Sequence, residues 1–405
     1  MKTCVRVFIV LAIPLIMLVP FVFAGVPNIN ELQIAVMEND YKRVEELIAS
    51  GVNIYEPIIE GKIGLTKLAN PILIYAARYN ESPEIIKALL DKGADVEGRG
   101  WQNLTPLMCA AQDNENPEII KAFLDAGANI EARDTYGETP LMRAALKNEN
   151  PEVIKTLLDA GANIDTRNES GYTPLMRALG FNRNPEIIKT LLDAGANVNA
   201  SNQFGDTPLM YAVSSNQNPE IIKALLDEGA NVEARNESGV TPLMYAALQN
   251  ENPEVIKTLL DAGANVEARS IYGYTPLMYA ALQNESPGVI KALLDAGANI
   301  NARNEDEAGW TPLFFAAAYN QNPEITKFFL DAARVDVNAV DDFHQTPLMV
   351  AAKNNRNPEV IHFLLESGAD GKLKCREGKT AFDYAKENPD IKDTDVYWLL
   401  NDARF

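Results

Sequence analysis

The tripeptide Thr-Pro-Leu returns along this chain at a nearly fixed interval. It stands at Thr105, Thr139, Thr173, Thr207, Thr241 and Thr275 with a spacing of 34 residues, then at Thr311 after 36 and Thr346 after 35. Degenerate copies begin at Asn30, Asn70 and Thr380, so about eleven units run from Pro27 to the C-terminus. Self-similarity at such a period means one supersecondary unit stacked many times, and it overrides the two or three globular domains that a chain of 405 residues would otherwise suggest.

The unit 134–163 shows why the repeat folds. Thr139 is a good helix N-cap, and Pro140 takes the first helical position, where its missing N–H costs nothing. Leu141, Ala144 and Ala145 form the buried side of a short helix, and the alanines let a neighbouring helix approach closely. Lys147-Asn148-Glu149 then turns the chain, and Asn150-Pro151 repeats the cap-plus-proline device to open a second helix, with Glu152 well placed in its first turn. Val153, Ile154, Leu157 and Leu158 share one face of that helix, whereas Glu152, Lys155, Thr156 and Asp159 point to water. Gly161 closes it in the left-handed conformation, and residues 163–172 make an extended, turn-rich connector. One such unit buries too little apolar surface to offset its chain entropy, so stability comes from stacking and the ends need caps. Asn30 to Ser50, with Glu31, Gln33 and Lys42, is expected to cap the start. Thr380-Ala381-Phe382 and a helix through Val396, Trp398 and Leu399 are expected to cap the end.

These motifs resemble the ankyrin repeat, whose Thr-Pro-Leu-His-x-Ala signature has a period near 33 residues. The resemblance implies an all-α fold, an ankyrin-repeat solenoid of stacked helix-turn-helix units with extended hairpin-like connectors. Two departures stand out. The family's usual His is Met at Met108, Met142, Met176, Met210, Met244, Met278 and Met349, and Phe at Phe314. The family's Gly-His turn between helices is replaced by a turn one residue longer that ends in Asn-Pro-Glu. Both changes touch side-chain hydrogen bonding between repeats and leave the fold intact. The organisation expected is a leader over residues 1–24, an N-terminal capping repeat with an inserted loop over 25–69, the repeat array over 70–379 and a C-terminal capping repeat over 380–405. The insertion, around Ile58, Ile59, Gly61, Ile63 and Leu65, either covers the N-terminal edge or touches a partner.

Lys2 and Arg6 precede an uncharged stretch from Val7 to Phe23, and Val22-Phe23-Ala24 before Gly25 reads as an export cleavage site. An uncleaved anchor is the competing reading, because 17 apolar residues lie at the lower limit for spanning a bilayer. Pro14, Pro20 and the Val-x-Ala ending favour cleavage, which places the mature chain in a bacterial periplasm or outside the cell, with no stable membrane insertion. The formal net charge is −20, and loss of Lys2 and Arg6 with the leader makes it −22. Repulsion from phosphate would oppose the counterion release that drives nucleic-acid binding, so a basic or neutral partner is the easier fit. After cleavage only Cys109 and Cys375 remain. Eight stacked layers of about 10 Å each separate them, far beyond the ~7 Å that a disulfide tolerates between Cα atoms.

No constellation for catalysis stands out. The two histidines, His344 and His362, lie in no metal-binding spacing, and there is no nucleophile elbow or phosphate-binding glycine loop. A column of methionines on the first helices packs a core better than it holds a metal. Asn80, Asn103, Asn168, Asn236 and Asn284 open glycosylation sequons by pattern, although Asn before Glu-Ser-Gly is more simply a turn. No cofactor or metal site is expected.

In ankyrin-repeat proteins the connector tips and first helices line a concave groove that grips a partner protein or peptide, which draws attention to residues that vary between otherwise similar units. Along the connectors these are Trp101 and Leu104, Tyr136 and Glu138, Tyr172, Phe204 and Asp206, Val240, Tyr272 and Tyr274, Trp310, and Phe343. On the first helix, the residue after the Met column reads Cys109, Arg143, Arg177, Tyr211, Tyr245, Tyr279, Phe315 and Val350. Aromatic and Arg side chains are the usual anchors of interfaces, so these positions are candidate partner contacts, in a groove basic at one end and aromatic at the other. The alternative is that the rings pack between adjacent fingers. The sequence thus points to a monomeric binding module with no enzyme chemistry, and the alternative is an acidic scaffold or spacer without a groove ligand.

Overall fold

A computed structural model describes residues 31–54, 71–182, 184–215, 218–305, 308–332 and 335–405. The expected leader and the inserted loop around Ile58 to Leu65 lie outside the described residues. Among the described residues, twenty-two α-helices and one short 3₁₀ turn make up the regular structure, and no strand occurs. The helices come in pairs, such as Pro140–Lys147 with Pro151–Asp159, and each first helix packs on the first helix of the next unit while each second helix packs on the next second helix.

The predicted caps are in place. Thr139 is extended and its Oγ1 accepts a hydrogen bond from the Met142 amide at 3.4 Å. Asn150 Oδ1 accepts from the Glu152 amide at 3.0 Å, and Gly161 takes a φ of +94° just past the second helix. The methionine column is fully buried, and it does more than fill space. The Thr105, Thr207, Thr241 and Thr275 amides each donate to the Met sulfur three residues on, at 3.4 Å, so the thioether closes the reciprocal half of the cap.

The longer turn between helices supplies the inter-repeat bonding that the departures from the family pattern left open. Asn148 is buried, and its Nδ2 donates to the Ala111 and Asn114 carbonyls of the preceding unit at 2.9 and 2.8 Å. Its Oδ1 accepts from the Asn150 amide at 2.9 Å, so both amide hydrogens and one lone pair of the oxygen are used. The same bonds recur at Asn114, Asn182, Asn284, Asn320, Asn355 and Asn388. On the connector side, Arg133 Nη1 reaches the Gly137 carbonyl of its own finger and the Arg167 carbonyl of the next at 2.8 and 2.7 Å. A Cβ on Gly137 would sit 2.9 Å from the Glu169 backbone nitrogen, so this glycine is needed both for its φ of +72° and for the close approach of the next finger.

Apolar packing is continuous, with one cluster from Leu32 to Phe329 and a second from Phe314 to Leu400, joined across Trp310 and Leu330. The last helix, Asp395–Ala403, corrects one expectation. Val396 and Leu400 face the stack, one turn apart, whereas Trp398 and Leu399 are exposed and close nothing. Thr380 begins the final unit with a full capping box, in which Asp383 accepts from the Thr380 amide at 3.0 Å. A hydrogen bond from Lys386 at 2.8 Å, helped by the Thr380 amide, holds the Asp383 carboxyl down to about 2. Because the folded value is depressed, its stabilising contribution is present above the ordinary carboxylate range and is lost as pH falls. Asp383→Ala is therefore expected to cost about 1 kcal/mol at neutral pH, a deficit that closes between about pH 4 and pH 2. Urea unfolding across that range checks it, and a pH-independent deficit would reject the capping role.

Candidate partner-binding groove

The variable residues of the first helices and the connectors lie side by side in one row, but they spend much of their chemistry on each other. At its N-terminal end Arg78 lies 3.4 Å from Asp113, which Lys147 also pairs at 2.6 Å. Arg78 Nη2 reaches the sulfur of Cys109 at 3.6 Å, and burial pushes the Cys109 thiol up, so this cysteine is an inert packing residue. Next comes a buried ionic cluster. The Arg143 guanidinium lies between Asp134, at 2.8 Å from Nε, and Glu138, at 3.1 Å, while Arg177 pairs with the other Glu138 oxygen. Arg177 also stands over the Tyr172 ring at 4.6 Å.

Beyond Arg177 the row turns aromatic. The Tyr211 hydroxyl donates to that of Tyr172 at 3.0 Å and accepts from Asn202 at 2.9 Å. Tyr245 donates to Asp206 at 2.9 Å and accepts from Asn236 at 3.2 Å. Burial pushes the Tyr211, Tyr245 and Tyr279 phenols above their usual range; the Tyr172 hydroxyl adds to this at Tyr211 and the Asp206 carboxylate at Tyr245. Tyr274 then packs edge-on against Tyr279 and Phe315, with ring centroids 5.8 and 5.0 Å apart. Trp310 lies edge-on to Phe315 at 5.4 Å, and its indole N–H donates to Asp341 at 3.1 Å.

The geometry is that of identical helical pairs tied finger to finger, and the sequence of the array matches the family description "Ankyrin repeats (3 copies)" over residues 32–134, 107–202, 180–270, 209–304, 247–341, 277–375 and 314–403. The chain is an ankyrin-repeat protein. Among solved structures it is similar to the human ASB11 ankyrin repeat domain, with 28% identity, 58% of this chain and 99% of that one covered, and a TM-score of 0.50. It is also similar to the ankyrin repeat domain of Bcl-3, described as a unique member of the IkappaB protein family, with 24% identity, coverage of 66% and 100%, and a TM-score of 0.45. No curated protein matches the sequence.

Within this ankyrin array the candidate contacts divide into two sets. Arg143, Tyr279 and Phe315 are buried, and Arg177, Tyr172, Tyr211, Tyr245, Tyr274 and Trp310 are half-buried. The expected basic end of the groove is thereby corrected. Asp134 and Glu138 neutralise Arg143 and Arg177 inside the stack, so no free cationic surface is left there. Trp101, Tyr136, Phe204 and Tyr272 are the exposed set, with 45–62% of each residue open to solvent, and Phe343 joins them at 46%. The sequence reading passed over Tyr79, Phe181 and Tyr319, exposed at the last position of their first helices, and Ile271 at a connector tip. Their signal was there, since the closing position of the first helix also varies between units, through Asp113, Lys147, Ser215 and Gln249. Among the described residues no three His, Cys, Asp or Glu side chains converge as metal ligands, and no helix is long and apolar enough to cross a membrane.

Proposed function

We propose that this ankyrin array is an exported binding module that holds a partner protein or peptide along the face made by its connectors and first helices, and that it does no catalysis of its own. The exposed connector rings carry this reading. Trp101, Tyr136, Phe204, Tyr272 and Phe343 stand on fingers whose backbones are already bonded to one another, as in Glu237 N–H to Phe204 O at 3.0 Å. Nothing in the fold requires a ring at Tyr136, Phe204, Tyr272 or Phe343, because Ser170 and Ser238 occupy the same position in neighbouring units; Trp101 stands one residue earlier, where those units carry Glu169 and Glu237. Half-exposed rings on a rigid frame are the profile of interface anchors. The acidic chain favours a basic or neutral partner, and residues 1–24 support action in a periplasm or outside the cell.

A second reading has an observation of its own. The bonds of Arg177 to Glu138, Tyr211 to Tyr172 and Tyr245 to Asp206 join one finger to the next, as in an acidic scaffold whose row of side chains only cements the stack. Affinity capture from the envelope or extracellular fraction separates the two. Residues 25–405 and a Trp101→Ser, Phe204→Ser, Tyr272→Ser variant serve as baits. Each lost anchor weakens binding by about tenfold, so the partner retained by the wild type should be absent from the variant. An unchanged retained set, with both baits equally folded, would favour the scaffold.

A further inference from the structure

From Tyr136 onward the connector tips alternate with a period of two units; Trp101, in the unit just before Tyr136, stands outside the pattern. Apolar rings stand at Tyr136, Phe204, Tyr272 and Phe343, and each is 45–49% exposed. The fingers between them carry exposed carboxylates at Glu169, Glu237 and Glu305. Among the described residues Glu169 and Glu237 have no cationic partner, and Glu305 meets only Arg269 at 3.7 Å on an open surface. Asp342, beside Phe343, is already taken by Arg303 at 2.8 Å. The row is held in register by backbone bonds from tip to tip, Glu169 N–H to Tyr136 O at 3.2 Å, Gln203 to Ser170 at 3.0 Å, Glu237 to Phe204 at 3.0 Å and Ile271 to Ser238 at 3.1 Å.

Resting on the groove-binding reading, we infer that this row docks an extended segment of a partner protein in the polyproline II conformation, with apolar and basic side chains alternating at every third residue. The match is geometric. Packed helical layers stand about 8–10 Å apart, and a polyproline II chain rises about 9.3 Å per three-residue turn, with every third side chain on one face. One turn therefore spans one ankyrin unit, and an alternation of two turns spans one ring and one carboxylate. A β-strand does not fit, because residues three apart point to opposite faces. Charge fits as well. The spare carboxylates of Glu169 and Glu237 lie between the rings, where basic side chains of the segment would reach them. A stiff ligand of this kind also loses little entropy on docking against aromatic side chains.

The test uses a labelled peptide of about eighteen residues, on the order of 55 Å long. Proline fills two of every three positions, and leucine and arginine alternate at the third. One control has the same residues in irregular spacing, and another has glutamate for arginine. Fluorescence anisotropy against the wild-type chain should show the registered peptide binding at least about tenfold more tightly than either control. Phe204→Ser with Tyr272→Ser should together lose about a hundredfold, tenfold for each ring. Glu169→Lys with Glu237→Lys should reverse the preference between the arginine and glutamate peptides. Equal binding of registered and irregular peptides, no binding, or binding unchanged by both pairs of substitutions overturns the inference. If so while affinity capture still depends on the tip rings, the groove reading stands and only the polyproline assignment falls; if capture is also insensitive to them, both fall.

Discussion

Arg143→Ala is expected to destabilise the array by about 3–5 kcal/mol, the scale for breaking a buried ion pair from one side. Its guanidinium sits between Asp134 and Glu138, whose side chains are almost wholly buried. Removing it leaves Asp134 with only the hydrogen bonds that its Oδ1 accepts from the Tyr136 and Glu138 amides at 2.7 and 3.0 Å. Arg177 continues to face Glu138, so most of the loss falls on Asp134. Three units on, the equivalent positions read Asn236, Val240 and Tyr245, and there the one charge in the cluster is Asp206 of the preceding unit, which accepts from Tyr245 at 2.9 Å. Transplanting them as Asp134→Asn, Glu138→Val and Arg143→Tyr together should recover only part of the stability, because Arg177 then loses Glu138 and Leu104 stands where Asp206 accepts from Tyr245. Urea unfolding of both variants measures this, and a loss below about 1 kcal/mol for Arg143→Ala would show that the cluster is solvated.

Asn284→Ala should cost about 2–4 kcal/mol, because it leaves buried backbone groups without partners. Asn284 donates to the Ala247 and Asn250 carbonyls at 2.9 Å each and accepts from the Ser286 amide at 2.9 Å. Asn284→Asp is the sharper variant. It keeps the shape but turns a carboxylate oxygen towards those two carbonyls, so it should be worse than alanine at neutral pH and approach it in acid. Each unit of a solenoid contacts only its neighbours, so the damage is confined to one junction. Thermal unfolding should therefore split into two transitions instead of shifting as a whole. A variant that melts in one transition at the wild-type temperature would show that the asparagine row adds nothing to the coupling between units.

Much of the fold was legible because its determinants are local. Thr139 capping Met142 spans three residues, Asn150 capping Glu152 spans two, and Gly161 stops its helix where the chain passes it. The asparagine row was visible only as half of a turn motif. Its function needed the carbonyls of Ala111 and Asn114, 37 and 34 residues back. The candidate site was less legible for the same reason. Arg143 and Phe204 both looked like anchors, yet one is buried between carboxylates and the other stands in solvent.

By itself the sequence determined the period, the helical pairs, their caps and the buried faces, since hydrogen bonds and periodicity within a few residues decide those. Tertiary structure alone decided which variable residues face outward. A side chain on a first helix meets groups 9, 31 or 39 residues away, as Arg143 meets Asp134 and Gln112 and Tyr245 meets Asp206. Whether such a residue is buried cement or exposed anchor depends on what the neighbouring finger places beside it, and that is set only when the units stack.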